Sequence, residues 1–183
     1  MRTLVLVALL TLSSPLWGAV PEESPTVGTH TVGNGLIVPG QRVGPLRLDM
    51  PLPQILEAVG PGYTREEFRV EKIILYEWRA QGIWVSLDQQ SRGIRVISAF
   101  GTNGKYRTDK GVSLMDPFSK AEGIYGKDYK RWEYKKEKIT LIRYAPLGLQ
   151  FSVVDNPGQP LLHGRIFQIG VFRPGQLPPV REP

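Results

Sequence analysis

β-Branched and aromatic residues concentrate in short runs at 65–70, 72–78, 83–88 and 94–100, and again at 129–134, 138–144, 149–154 and 165–172. Each run is bounded by Gly, Pro, Asn or Asp, the pattern of strands joined by tight turns. Ahead of each set of four lies one stretch of helical period. In the first, Leu52, Ile55, Leu56 and Val59 fall on one face of a helix over 50–59, with Pro51 in its first turn and Gly60-Pro61 stopping it. In the second, Phe118, Ala121 and Ile124 or Tyr125 line a helix that Asp116 is expected to cap, with Pro117 at its first position and Gly126 closing it. Two further strands, 36–38 and 43–48, flank a Pro39-Gly40 turn.

The two sets are related at the level of residues. Shifting the chain by sixty-six positions sets Tyr63, Arg65, Glu67, Glu71, Lys72, Ile73 and Leu75 on Tyr129, Arg131, Glu133, Glu137, Lys138, Ile139 and Leu141. Leu48, Pro51, Gly60, Gly82 and Ser86 also meet their own kind, making twelve identities over the forty-four positions 45–88, where chance gives roughly three. The expected fold is therefore α+β: an internally duplicated unit of one short helix and a four-stranded antiparallel sheet, packed as one pseudo-symmetric domain. The units span 36–104 and 105–172. Whether they form one sheet or two is open from sequence. They differ most in the last hairpin loop, 155–164, which is about six residues longer than 89–93.

The flanks read differently. Met1-Arg2, the apolar run 4–12 and the small residues at Gly18-Ala19 form a secretory signal peptide, 1–19, cleaved between Gly18 and Ala19 or after Ala19. Its apolar run is too short to span a bilayer, and no transmembrane span is expected in the mature chain. Residues 20–35 read as a flexible linker holding His30, and 173–183 as a Pro-rich tail. The predicted location is secreted or periplasmic. The sequence has no cysteine, which excludes disulfides, catalytic thiols and an N-terminal lipid-anchor cysteine. The charge is +6, with 23 basic and 17 acidic residues, and Arg2 leaves with the signal peptide. That balance suits an anionic cell-wall or lipid surface and falls short of a nucleic-acid binder.

The stretch Met50-Pro51-Leu52-Pro53-Gln54-Ile55-Leu56-Glu57-Ala58-Val59-Gly60-Pro61 resembles the short helix, Gly stop and Pro that precede a β-meander in the outer-membrane assembly lipoprotein BamE/SmpA family. It is also similar to the β-lactamase inhibitory protein family, a tandem duplication of such a unit. Asp49 and Met115 stand where those families carry Gly, and their disulfides or lipid-anchor cysteine are missing here. The resemblance implies this fold and a leaning toward protein–protein binding.

Catalytic chemistry has little support. His30 and His163 are the only histidines, and no nucleophile elbow or metal-ligand spacing occurs, so no catalytic residue, metal or cofactor is expected. A hydrolase would need two carboxylates brought together from afar. Arg65, Glu67, Arg69 and Glu71, with their matches, read as a solvent-face ladder of opposite charges. The candidate binding residues are Trp84, whose matched position is Gln150, and Lys130, Arg131, Trp132, Lys135 and Lys136 within the basic, aromatic stretch 127–138. The leading expectation is an exported, non-enzymatic protein that binds another envelope or secreted protein. The alternative is a glycan or anionic-polymer binder working through 127–138.

Overall fold

The computed structural model describes residues 35–102 and 104–179. The proposed signal peptide, His30 and all of the linker but Gly35 lie outside the described residues, as do Asn103 and the last four positions of the tail. The chain is a mixed α+β protein with two helices and one large antiparallel sheet. Its elements in order are β1 (Leu36–Val38), β2 (Arg42–Val43), β3 (Leu46–Arg47), α1 (Leu52–Val59), β4 (Thr64–Phe68), β5 (Ile73–Trp78), β6 (Ile83–Asp88), β7 (Ile94–Phe100), β8 (Arg107–Thr108), α2 (Phe118–Tyr125), β9 (Lys130–Tyr134), β10 (Ile139–Tyr144), β11 (Leu149–Val154) and β12 (Ile166–Val171).

Eight strands form one sheet in the order β4-β5-β6-β7-β12-β11-β10-β9. The seam is β7 against β12, antiparallel, with Ile97 opposite Val171 and Ala99 opposite Ile169. The two four-stranded meanders thus join edge to edge and hide two edges that separate sheets would expose. A second, small sheet runs β3-β2-β1-β8. Its β1–β8 pair is parallel and ties Leu36 and Ile37 to Arg107 and Thr108, so the segments leading into the two meanders share one small sheet.

Pleating sends alternate residues to opposite faces. One face carries Ile74, Tyr76, Trp78, Ile83, Val85, Leu87, Ile97, Ala99, Ile142, Tyr144, Leu149, Phe151, Ile169 and Val171, all buried. The small sheet adds Ile37, Val43 and Leu46 to this core, α1 adds Ile55 and Val59, and α2 adds Ala121. Both helices therefore lie on one side. Each is pinned to the sheet at its end. Trp78 Nε1 donates to the Gly60 carbonyl at 2.8 Å, and Tyr144 Oη donates to the Gly126 carbonyl at 2.9 Å.

Several local expectations need correction. Both helices are shorter than predicted, with Pro51 and Pro117 as N-cap residues and no side-chain cap. Asp116 does not cap α2. It turns back to accept from the Ser113 N–H and from Lys120 Nζ, each at 2.7 Å. Gly60 and Gly126 end the helices at φ 89° and 83° with extended ψ, a conformation essentially confined to glycine, rather than in the left-handed helical region. The first strand of the first meander stops at Phe68 rather than Val70, because a four-residue turn follows; its match ends at Tyr134 as expected, and Lys72 and Lys138 close the two turns at φ 52° and 56°. The expected charge ladder thus shrinks to Arg65–Glu67 in β4 and Arg131–Glu133, at 3.0 Å, in β9, while Arg69 and Glu71 sit in the turn.

Candidate functional site

The second face of the large sheet has no helix over it. Its register lines up one residue from each strand: Thr64, Glu77, Trp84, Ser98, Gly170, Gln150, Arg143 and Lys130. A parallel row holds Phe100, Gln168, Ser152, Leu141 and Trp132. A third holds Glu66, Leu75, Ser86 and Val96. Phe68, Leu75, Trp84, Phe100, Trp132, Tyr134 and Leu141 are half-buried on this face, held there by their strand neighbours. A sheet face of this composition leaves water against large apolar groups.

The centre of the face is polar and tightly built. Gly170 carries no side chain, and a Cβ there would come within 2.6 Å of Ser98 Oγ and 2.9 Å of Gln150 Cγ. Glycine therefore lets Gln150 lie flat across the seam. Gln150 Oε1 accepts from Arg143 Nε at 3.0 Å, and Ser152 Oγ donates to Gln168 Oε1 at 2.7 Å. Arg143 is buried, 5% exposed, with its guanidinium 5.6 Å from the Trp132 ring centre and 5.9 Å from that of Phe172. Burial pushes its pKa down to about 10. The groups around the cation are neutral, so desolvation is offset by hydrogen bonds and ring faces rather than by a carboxylate.

The tail reaches this face. Arg143 Nη1 donates to the Pro178 carbonyl, and Pro178 and Pro179 lie beside Leu75, Trp84, Ser98 and Gln150. Gly175 N–H to the Ala145 carbonyl, at 2.9 Å, fixes where the tail turns. Two cavities flank the strap. One of about 300 Å³ lies between it and the β6–β7 hairpin at Asp88, Ser91 and Arg95, and one of about 140 Å³ lies beneath the two prolines. Trp84 Nε1 is enclosed without an acceptor, while its ring lies 4.7 Å from that of Phe100.

The sequence-selected residues are only partly brought together. Trp84, Trp132 and Lys130 share the helix-free face, but Trp84 is on β6 and Trp132 on the edge strand β9, five strands away. That is roughly 24 Å at the usual strand spacing. Arg131 projects to the other face, exposed and paired with Glu133. Lys135 and Lys136 are exposed in the β9–β10 turn, away from the rows. The long loop 155–164 docks beside α2, where Phe118 N–H donates to the Gly164 carbonyl at 2.9 Å, and exposes Leu161. Arg143, the centre of the polar cluster, was not among the candidates. Its signal was an arginine between Ile142 and Tyr144, at the position where the first meander has Glu77.

Asp88 is the only carboxylate lining either of these cavities. It accepts from the Ser91 N–H, from the Arg95 guanidinium and from the Gln90 N–H, which hold its pKa well below the ordinary carboxylate range. Among the described residues no cluster of His, Asp and Glu has metal-site geometry, and no helix is long and apolar enough to cross a membrane.

No family model and no curated protein sequence matches this chain. Among solved structures it is similar to the crystal structure of the uncharacterized protein yfeY from Escherichia coli. The identity is 14% and the TM-score 0.51, over 74% of this chain and 99% of that one. At that identity the likeness bears on the fold alone, and what the chain shares with yfeY is the α+β architecture.

Proposed function

We propose that this chain is an exported, non-enzymatic binding protein of the cell envelope, and that it holds another protein on the helix-free face of its large sheet. The observation that carries this reading is the row content of that face: half-buried Leu75, Trp84, Phe100, Leu141 and Trp132 with no layer of secondary structure over them among the described residues. Interface cores favour such aromatic and aliphatic groups beside an arginine. In the same reading the halves are copies of one helix-plus-meander unit. Support comes from the matched anchors Trp78–Gly60 and Tyr144–Gly126 and the matched turns at Lys72 and Lys138.

The alternative, a glycan or anionic polymer held by 127–138, is less favoured. Lys130 shares a face of the edge strand with Trp132 and Tyr134, but Arg131 points to the other face and Lys135 and Lys136 lie in the turn, so most of the cations are off the rings' platform. A hydrolase is also disfavoured, because Asp88 faces its cavity without a second carboxylate.

The test is photocrosslinking from position 75 and from position 135 in envelope extract. A defined partner captured from 75, and lost in Leu75→Glu/Leu141→Glu, is the expected result. Crosslinks from 135 alone, with retention on cell-wall or anionic-lipid preparations lost in Lys135→Glu/Lys136→Glu, would replace it with the alternative. A monodisperse monomer without crosslinks from either position defeats both.

A further inference from the structure

The face is not empty: the chain lays its own tail on it. That contact says what the face accepts. Leu177-Pro178-Pro179 is a sequence predisposed to the extended polyproline conformation, which loses little entropy on docking and leaves its carbonyls free to accept. Arg143 supplies a buried donor to one such carbonyl, and Pro178 and Pro179 line the same cavity as Trp84. Arg143 itself is braced by Gln150 and by the rings of Trp132 and Phe172.

The seat is incompletely filled. Cavities of about 300 and 140 Å³ remain on either side of the strap, and the enclosed Trp84 Nε1 has no acceptor. Trp84 on β6 and Arg143 on β10 are four strand spacings apart along the sheet, and both reach the cavity beneath the prolines, so an extended segment crossing the strands meets both. The strap's contact with the face is confined to Pro178 and its neighbours, so a longer segment has more to gain there than the tail does.

Resting on the protein-binding reading above, we propose that the helix-free face is a receptor for an extended, proline-containing segment of the partner protein, and that residues 173–179 occupy that groove in cis until the partner displaces them. Binding then requires the strap to leave, and the apparent affinity falls by the fraction of molecules in which the groove is free.

The test uses the full chain and, as probe, a synthetic peptide of the sequence 173–183. The control peptide replaces Leu177-Pro178-Pro179 by Gly-Ser-Gly. Tryptophan fluorescence follows the titration, and thermal unfolding checks that each variant is folded. Pro178→Gly/Pro179→Gly, which weakens the strap, is expected to bind the probe about tenfold more tightly than wild type, the factor for a groove free in roughly one molecule in ten. Adding Arg143→Met to that variant is expected to remove the gain, and the control peptide to bind to neither. Should Arg143→Met unfold the chain, hydrogen exchange decides instead. The Gly175 amide, which donates to the Ala145 carbonyl at 2.9 Å, loses protection in wild type when the probe displaces the strap.

Equal affinity of wild type and strap variant, equal binding of both peptides, or unchanged exchange at Gly175 would overturn the proposal. A partner crosslinked at position 75 but not competed by the probe would defeat it while leaving the protein-binding reading intact. Probe binding without any crosslinked partner would defeat the protein-binding reading and leave only the groove that residues 173–179 occupy in cis.

Discussion

Strands β5 and β10 occupy matched places in the two halves and differ in an instructive way. Facing the helices, both present a large ring at the same position, Trp78 and Tyr144, each fully buried and each donating to the carbonyl that ends its helix. Facing away, Ile73 and Leu75 meet their identical counterparts Ile139 and Leu141, but Glu77 stands where Arg143 does. Glu77 is buried at 6% and pairs with the largely exposed Arg79 at 3.2 Å. Arg143 is buried with neutral partners only. The helix side is alike in the two halves. The other side carries opposite charge on its two wings, about 24 Å apart along the sheet by strand spacing, a polarity that would give the proposed ligand a direction.

The largest effect should come from the shared anchors. Trp78→Ala is expected to cost about 3–5 kcal/mol in urea unfolding, since it removes a fully buried ring and leaves the Gly60 carbonyl without its donor. Next is charge reversal on the differing position. Arg143→Glu would set a buried carboxylate against Gln150 Oε1, with only the exposed Lys130 of the neighbouring strand as a cation in register, and should lower stability by roughly 3 kcal/mol. Arg143→Met, similar in length and apolar between Trp132 and Phe172, is expected to stay within about 1.5 kcal/mol of wild type. If the two behave alike, the contrast between the wings is one of packing and not of charge.

A smaller effect separates ring from hydroxyl. Tyr144→Phe keeps the contacts with Tyr125, Tyr129 and Phe151 and loses only the bond to the Gly126 carbonyl, so about 1 kcal/mol is expected. The smallest is the acid sensitivity contributed by Asp88, which has no counterpart at the matched position of the second half. Asp88 is held below the ordinary carboxylate range, chiefly by the Ser91 N–H and then by Arg95, while its matched position is Val154. A depressed carboxylate contributes stability that is complete above the unfolded value near ~4 and is lost as pH falls through the folded value. Melting temperatures measured from pH 5 down to pH 2 should therefore fall less for Asp88→Asn than for wild type. An unchanged acid slope would remove Asp88 from the comparison.

Much of the architecture was legible beforehand. β6, β7 and β11 begin and end where the β-branched runs do, because bounded strands with Gly-containing turns are a local signal. Helix starts were less legible, since Pro51 and Pro117 leave the first helical turn unresolved from sequence and Asp116 had a competing backbone donor in Ser113. Of the candidate residues, Trp84, Lys130 and Trp132 share a face, yet Arg143 was passed over. A lone arginine in an apolar strand gives no local indication of whether it points to solvent or into a seam.

The sequence by itself determined most of the elements and the sixty-six-residue correspondence, because each depends on nearby residues or on comparing one stretch with another. Only the tertiary structure decided that β7 meets β12, that β1 runs parallel to β8, and which side of the sheet the helices leave bare. Ile73, Leu75, Ile139 and Leu141 are as apolar as the residues they alternate with, so period-two patterning cannot say which face is covered. That choice is made by where two helices and a small sheet find room, and it is what brings Arg143, the two tryptophan-bearing rows and the tail onto one surface.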